Sequence, residues 1–176
     1  MKSSKRCQCP VLVQVFLVSV GVSAIAVALL AQAGVSQAGM NTRYGVSITL
    51  EAARRVATSA MEEARKNNWE ASVAVVDASA NLIYFEKGND SQSGSGELAI
   101  SKARSAVIYK RPTKNFQGEV AAGTKGVGLL RLQGAVILDG GIPLILSHTI
   151  IGGIGVSGTS QHDGTCAQAG ADVLKQ

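Results

Sequence analysis

Apolar positions recur every three or four residues over 49–66, which predicts an amphipathic helix that buries one side. Thr49 suits its N-cap and Asn67 its end. A second helix is predicted over 97–109. It is expected to end there because Pro112 disfavours helical backbone in the residue before it. Thr113 can then cap a third helix that ends at 122. The predicted inner face of the first helix consists of Ala53, Val56, Ala57, Ala60, Met61 and Ala64.

The other apolar runs are short and rich in β-branched residues, which is typical of strands. The runs 72–76 and 82–86 flank a turn-forming stretch and predict a hairpin. A last helix is predicted to open at Ser160–Asp163 with an arrangement close to a capping box. Helices and sequential strands in this order predict an α+β domain with a mostly antiparallel sheet. Four further strands are predicted at 127–132, 135–138, 142–146 and 150–156.

The N-terminal segment has the pattern of an export signal. Residues 1–10 are basic and polar, 11–30 carry no charge, and small residues follow up to Ala38. This order is the signature of a secretory signal peptide, predicted here as 1–38. An uncleaved anchor is the alternative, because the apolar run reaches the ~20 residues that span a bilayer. The folded domain is predicted as 41–176, located outside the cytoplasm, periplasmic or secreted.

Charge argues against a nucleic-acid partner. The chain has a formal net charge of +5, and three of its basic residues, Lys2, Lys5 and Arg6, lie in the first ten. Without the predicted signal peptide, which has no acidic residue, the charge is +2 (5 minus 3). The remaining charges are scattered, whereas a nucleic-acid site needs a concentrated basic surface.

The predicted mature domain offers few groups for catalysis. It has two histidines, His148 and His162, and one cysteine, Cys166, none at a metal-binding spacing. The glycines of 152–155 resemble part of a dinucleotide-binding loop, but no βαβ pattern surrounds them, so close strand packing is the preferred interpretation. Cys166 reads as a small buried hydrophobe. Each histidine is either solvated or an iron ligand.

Three stretches together resemble the GlcG/HbpS-like family, which is related to the C-terminal domain of PduO proteins. The first is the 72–82 hairpin, SVAVVDASANL, in which Ala80-Asn81 replaces the family's turn glycine and Asn81 is expected to adopt the left-handed turn conformation. The second is AISKARSA at 99–106 followed by Arg111-Pro112-Thr113. The third is GGIP at 140–143, IGGIGVSG at 151–158 and the residues from Asp163 to Gly170.

This resemblance implies a profilin-like α+β fold, with a central, mostly antiparallel sheet flanked by helices. It also implies homo-oligomers and, in some members, haem binding. The resulting hypothesis is an exported haem-binding protein without clear catalytic machinery, so that no catalytic residue is assigned. A haem-degrading enzyme and a non-catalytic accessory or assembly subunit that binds no haem are the alternatives.

The ligand site is predicted near the break at Pro112-Thr113, since Thr113 matches the family's haem pocket. Lys102 and Arg111 are predicted to pair with the haem propionates, because cations bind carboxylates strongly. His148 is the predicted iron ligand, because imidazole is a common axial donor. Whether His148 reaches this region within one chain or only from a neighbouring subunit is open at the level of sequence. The oligomer is expected to form through Ala- and Val-rich apolar faces.

Overall fold

The computed structural model describes residues 41–175, so the predicted signal peptide lies outside the described residues. The described chain forms one sheet with helices on both faces. The elements in order are β1 (Arg43–Tyr44), α1 (Leu50–Lys66), β2 (Ser72–Asp77), β3 (Leu82–Lys87), α2 (Ser95–Ile108), α3 (Thr113–Ala121), α4 (Thr124–Val127), a 3-10 turn (Gly128–Arg131), β4 (Gly141–Leu146), β5 (Thr149–Ser157), α5 (Asp163–Asp172) and a last 3-10 turn (Val173–Lys175). No helix among them is long and apolar enough to cross a membrane.

The sheet is mostly antiparallel, as predicted. β5 is central and pairs antiparallel with β4 on one edge and β2 on the other, while β3 pairs antiparallel with β2. The short β1 adds the one parallel pairing, against the start of β5. Pro143 lies in β4, where an edge strand tolerates a residue without an amide hydrogen. The family resemblance therefore predicted the fold class correctly.

The main core lies between one face of the sheet and the helices α1 and α5. The apolar stripe predicted for α1 is the buried face of that helix, and the Thr49 hydroxyl accepts from the Ala52 amide at its N-cap. Ile154 and Val156 of β5 point into this core with Cys166 of α5. Every residue of β5 after Thr149 is buried, because helices cover both faces of this central strand.

The opposite face of the sheet packs directly on α2 through glycines. A Cβ on Gly155 would overlap the Ala99 carbonyl oxygen, and one on Gly153 would lie 2.8 Å from the carbonyl oxygen of Ala103. Helix and strand backbones thus approach more closely than side chains allow. The glycines of 151–158 allow the helix and strand backbones to pack closely, which was the preferred interpretation of the sequence. They do not form a nucleotide-binding loop.

Two predicted strands are wrong. Residues 127–132 form the end of α4 and the 3-10 turn, and residues 135–138 have no regular structure. Both runs lie in the α3–β4 connection, residues 122–140, where Gly126 and Gly140 are the only buried residues among those whose burial the structure describes. Short apolar runs do not distinguish a strand from an irregular segment by pattern alone.

Two predicted caps are also wrong. Thr113 is the first residue of α3 and makes no cap hydrogen bond, because Pro112 occupies the N-cap position. Ser160 adopts a left-handed backbone, φ +63°, and α5 begins three residues later at Asp163. The loop before α2 is more structured than its polar sequence suggests. Its Ser91 is buried, and the Ser91 and Ser95 hydroxyls hydrogen-bond to that of Ser72.

Candidate functional site

A cavity of about 570 Å³ opens between α2, α3, the α3–β4 connection and the loop that joins β5 to α5. This volume lies within the range of about 300–1,000 Å³ that small-molecule pockets occupy. Apolar and polar side chains share its walls. The lining residues are Gln92, Leu98, Lys102, Lys114, Gln117, Gly118, Ala121, Leu138, Asp139, Ser157, Gly158, Ser160, Gln161 and Asp163.

A buried ion pair forms one wall of this cavity. The Lys102 side chain is 1% exposed, and its Nζ lies 2.7 Å from Oδ2 of Asp163 and donates to the Val156 carbonyl at 3.0 Å. The other carboxylate oxygen of Asp163 accepts from both the amide and the hydroxyl of Thr159. Charges taken out of water are tolerated only with such complete pairing. This ion pair ties α2 to the start of α5 across the end of β5.

Two consecutive glycines bring β4 against this wall. Gly140 has φ +116°, and a Cβ there would lie 2.5 Å from the Val156 carbonyl oxygen. A Cβ on Gly141 would lie 2.6 Å from the Cγ2 of Thr113. The Thr113 hydroxyl accepts from the Gly141 amide at 2.9 Å and is fully buried. Thr113 thus holds the start of β4 against the start of α3, adjacent to the cavity and not among its lining residues.

The predicted cations are already paired within the chain. Lys102 is neutralised by Asp163, and Arg111 binds Glu119 at 2.8 Å while its guanidinium stacks 3.7 Å from the Phe116 ring centroid. Neither charge faces the cavity without a partner. The prediction that Lys102 and Arg111 meet carboxylates of a ligand therefore does not match their contacts in a single chain.

Lys114 is the cation that sequence reasoning missed. It lines the cavity, its side chain is 75% exposed, and within residues 41–175 its only carboxylate contact is to Asp139 at 3.8 Å. An ion pair this long and exposed contributes little and exchanges readily for a ligand. Its position directly after Thr113 in the predicted third helix was the available signal.

His148 lies far from the other predicted site residues. Ser147 and His148 form the exposed turn between β4 and β5. Their φ values are +48° and +62°, and two-residue hairpin turns commonly have positive φ at both positions. Thr113 contacts the opposite end of β4, and six strand residues extend over about 17 Å. Within one chain His148 does not fold over the cavity.

His162 and Cys166 both make contacts within the fold. The His162 ring stacks on Trp69 with 4.0 Å between centroids, directly before the first residue of α5. Cys166 is fully buried, as predicted. Burial, with the negative charges of Glu63 and Asp163, raises the pKa of the Cys166 thiol to about 11. Among residues 41–175 no cluster of three or more metal-ligating side chains occurs.

Comparison with known proteins decides the family. The sequence pattern described as "Haem degrading protein HbpS-like" matches residues 48–172. The chain belongs to the HbpS-like family. The protein GlcG of Escherichia coli strain K12 is 33% identical over 112 residues, 64% of this chain and 82% of GlcG.

Solved structures agree with this assignment. HbpS of Streptomyces reticuli, solved as a double mutant, is 34% identical with a TM-score of 0.67, covering 82% of this chain and 98% of that one. The PduOC:heme complex is 30% identical with a TM-score of 0.66, covering 73% and 96%. The HbpS-like fold and its relation to PduO are therefore established for this chain.

Proposed function

We propose that this HbpS-like domain binds haem and that the cavity beside Lys114 receives it. The observation that carries the proposal is the shared fold of a relative solved as a heme complex, PduOC, at 30% identity over 96% of that chain. The family description, which names haem, supports the same ligand. The cavity gives this proposal a location in the chain.

The cavity lining suits the ring and a propionate of haem but includes no common ligand for its iron. Its volume suits a drug-sized ligand, Leu98, Ala121 and Leu138 offer apolar contact, and Lys114 is available for a carboxylate. The lining residues include no His, Cys, Met or Tyr, the side chains that commonly ligate haem iron. In this proposal the cavity contacts the ring and one propionate, and the iron ligand comes from outside the lining residues that the structure describes.

The missing ligand points to a homo-oligomer, in which His148 of a second copy reaches the iron. His148 is exposed at the tip of the β4–β5 hairpin, where it is accessible to a neighbour. The Ala- and Val-rich faces expected at the subunit contact are used inside the domain, against α1 and α2. The apolar surface left for association is formed by larger side chains, among them Val127, Leu130, Leu132 and Leu138.

Haemin titration of the isolated protein, followed at the Soret band, tests the site. Lys114→Gln should weaken binding by about tenfold, or about 1.4 kcal/mol, because a propionate loses its cation. Lys66→Gln on α1, equally exposed and remote from the cavity lining, should leave binding unchanged. Equal effects of the two variants would remove the cavity from the proposal.

Iron ligation is tested separately. His148→Ala should shift the Soret maximum and weaken haemin binding by at least about tenfold. The dependence on a second copy predicts that a diluted, monomeric sample loses the same spectral feature, which light scattering can follow. Unchanged spectra and affinity in both His148→Ala and Thr113→Ala would contradict this site and favour an accessory subunit that binds no haem.

Haem degradation is the second candidate function, and the family description favours it. The cavity lining offers Lys, Asp, Ser and Gln side chains and no evident proton-transfer pair for that reaction. Incubating the haemin complex with a reductant and oxygen distinguishes the two functions. Loss of the Soret band with a biliverdin-like product would replace binding by turnover.

Export completes the proposal. We infer that residues 1–38 direct the chain out of the cytoplasm and are removed, on the basic, apolar and small-residue order of the sequence. N-terminal sequencing of exported protein should then begin at or near Gly39. An intact Met1 would favour the retained anchor.

A further inference from the structure

A second cleft lies between β1, the β2–β3 turn and the C-terminal end of α2. Its volume is about 470 Å³, and it shares no lining residue with the cavity beside Lys114. The lining residues are Tyr44, Gly45, Ser47, Ala78, Ser79, Ala80, Val107 and Ile108. Nothing in the haem proposal makes use of this cleft.

The inner wall of the cleft is apolar, and a hydrogen bond fixes the position of its aromatic ring. Tyr44 is 45% exposed, and its hydroxyl donates to the Val107 carbonyl at 2.9 Å, which fixes the ring beside α2. Ile108 adds an aliphatic side chain that is 50% exposed. Burial raises the pKa of Tyr44, so the phenol stays protonated and adds no negative charge. An aromatic or aliphatic ligand would therefore find contact area here.

Two cations border this apolar wall. Arg104 lies one helical turn before Ile108, and its Nε donates to the Ala80 carbonyl at 3.2 Å. Lys110 donates to the Thr42 carbonyl at 2.8 Å and lies 4.5 Å from the Tyr44 ring centroid. Within residues 41–175 neither cation forms an ion pair with a carboxylate. Their positive charge is uncompensated.

The acidic residue of the neighbouring turn does not neutralise these cations. The Asp77 carboxylate accepts from the Ser79 and Asn81 amides and from the Asn81 side chain. Burial opposes its ionisation, but these hydrogen bonds outweigh burial and lower the pKa of Asp77. The carboxylate is thus committed to shaping the turn, and within residues 41–175 it forms no ion pair with Arg104 or Lys110.

Both rims of the cleft carry a strained residue. Ala80 at the β2–β3 turn has φ +65°, and Lys110 after α2 has φ +54°. Residues other than glycine adopt this left-handed region at a cost, and such strain concentrates at functional sites. Here the two conformations aim the Ala80 carbonyl at Arg104 and place the Lys110 ammonium over Tyr44. In these conformations both cations lie beside the apolar wall.

We propose that this cleft binds a small amphipathic carboxylate, with its apolar ring or chain against Tyr44 and Ile108 and its carboxylate at Arg104 and Lys110. The pairing of an apolar wall with uncompensated cations discriminates against neutral and cationic analogues of the same size. The ligand is separate from haem, and both sites can be occupied at once.

Calorimetric titration tests whether binding requires a negative charge on the ligand. The full sequence is expressed, and the protein is used as isolated. 2-Naphthoate is the probe, with 2-naphthol and 2-naphthylmethylamine as neutral and cationic analogues of the same ring. Naphthoate should bind at one site per chain and at least about tenfold more tightly than either analogue, a difference of about 1.4 kcal/mol. Equal affinity for all three would overturn the proposal.

Location and residue roles are tested by amide spectra and variants. Saturating naphthoate should shift the amide resonances of Gly45, Ser79 and Ile108, and Arg104→Gln should weaken its binding about tenfold. Arg54→Gln, an exposed arginine on α1, is the matched control and should change nothing. Ile108→Ser, at an exposed position that the fold tolerates, should weaken naphthoate and naphthol binding alike. Haemin binding should be unchanged in Arg104→Gln, and shifts confined to other residues would refute the cleft as the site.

Discussion

The two walls of the proposed haem cavity are built in opposite ways. The wall formed by α2, β5 and α5 is closed around the ion pair of Lys102 and Asp163 and by glycines that bring backbones into contact. The facing wall, formed by α3 and the α3–β4 connection, presents exposed side chains such as the apolar Leu138. One wall is fixed by burial throughout. In the other, α3 is anchored by the buried Thr113 and Phe116, while the α3–β4 connection is held by a few surface contacts.

The contacts of the second wall can be named individually. The Tyr109 hydroxyl donates to the Gln133 carbonyl at 2.6 Å, and the Val136 amide donates to the Ser105 hydroxyl at 3.0 Å. Regions with little buried apolar surface open locally at low free-energy cost. A cavity with one fixed and one adjustable wall can admit a large planar ligand without disturbing the core.

The largest expected effect separates the fixed wall from ordinary surface charge. Asp163→Ala leaves Lys102 buried without a counter-charge and should lower the free energy of unfolding by about 3–5 kcal/mol. Urea denaturation followed by circular dichroism measures this loss. Asp172→Ala removes a carboxylate of the same helix that pairs with Lys175 at the surface, and should cost under about 1 kcal/mol. Similar losses would show that the ion pair is not special.

The next prediction compares a glycine from each wall. Gly155→Ala in β5 forces α2 away from the sheet and should destabilise the protein by about 1–3 kcal/mol. Gly118→Ala in α3 meets no heavy atom within 4 Å and should stabilise it by up to about 1 kcal/mol through helix propensity. Thermal unfolding of both variants provides the measurement. A destabilised Gly118→Ala would mean that the second wall is as tightly packed as the first.

A third variant loosens the adjustable wall alone. Tyr109→Phe removes the hydrogen bond to Gln133 and should cost about 1 kcal/mol. Amide hydrogen exchange should accelerate in residues 128–138 and stay unchanged in β5. Tyr84→Phe, whose hydroxyl contacts Glu86 outside this region, is the control and should alter neither segment. Faster exchange in β5 would show that the two walls unfold together.

The last prediction concerns an effect that appears only in alkaline solution and reports on the burial of Cys166 in α5. The pKa of Cys166 in the folded protein is raised to about 11 from an ordinary 9.0, so folding favours the protonated thiol. Its contribution to stability is therefore complete below pH 9 and is lost as the pH rises toward 11. Denaturation of Cys166→Ala should lack this part of the alkaline decline. Superimposable pH profiles of the two proteins would contradict a closed wall around the thiol.

The local sequence pattern was sufficient to predict an element where its apolar residues recur with a strong period and its ends are clearly marked. The α1 stripe, the Thr49 cap and the β2–β3 hairpin follow from the sequence because each residue's role depends on close neighbours along the chain. The family motifs added the sheet and its mostly antiparallel pairing. The same motifs did not reveal that Ala80, and not Asn81, adopts the left-handed turn conformation.

Contacts between distant segments needed the tertiary structure. Lys102 and Asp163 are 61 positions apart, and no local signal distinguishes a lysine that pairs internally from one that meets a ligand. The runs 127–132 and 135–138 have the composition of strands, yet in the described structure neither run pairs with a strand of the sheet. By itself the sequence determined the four longer helices, α1, α2, α3 and α5, the hairpin and the family. Which charges remain free for a ligand, and that His148 and Thr113 lie at opposite ends of β4, were decided only by packing, because burial and pairing depend on the whole chain.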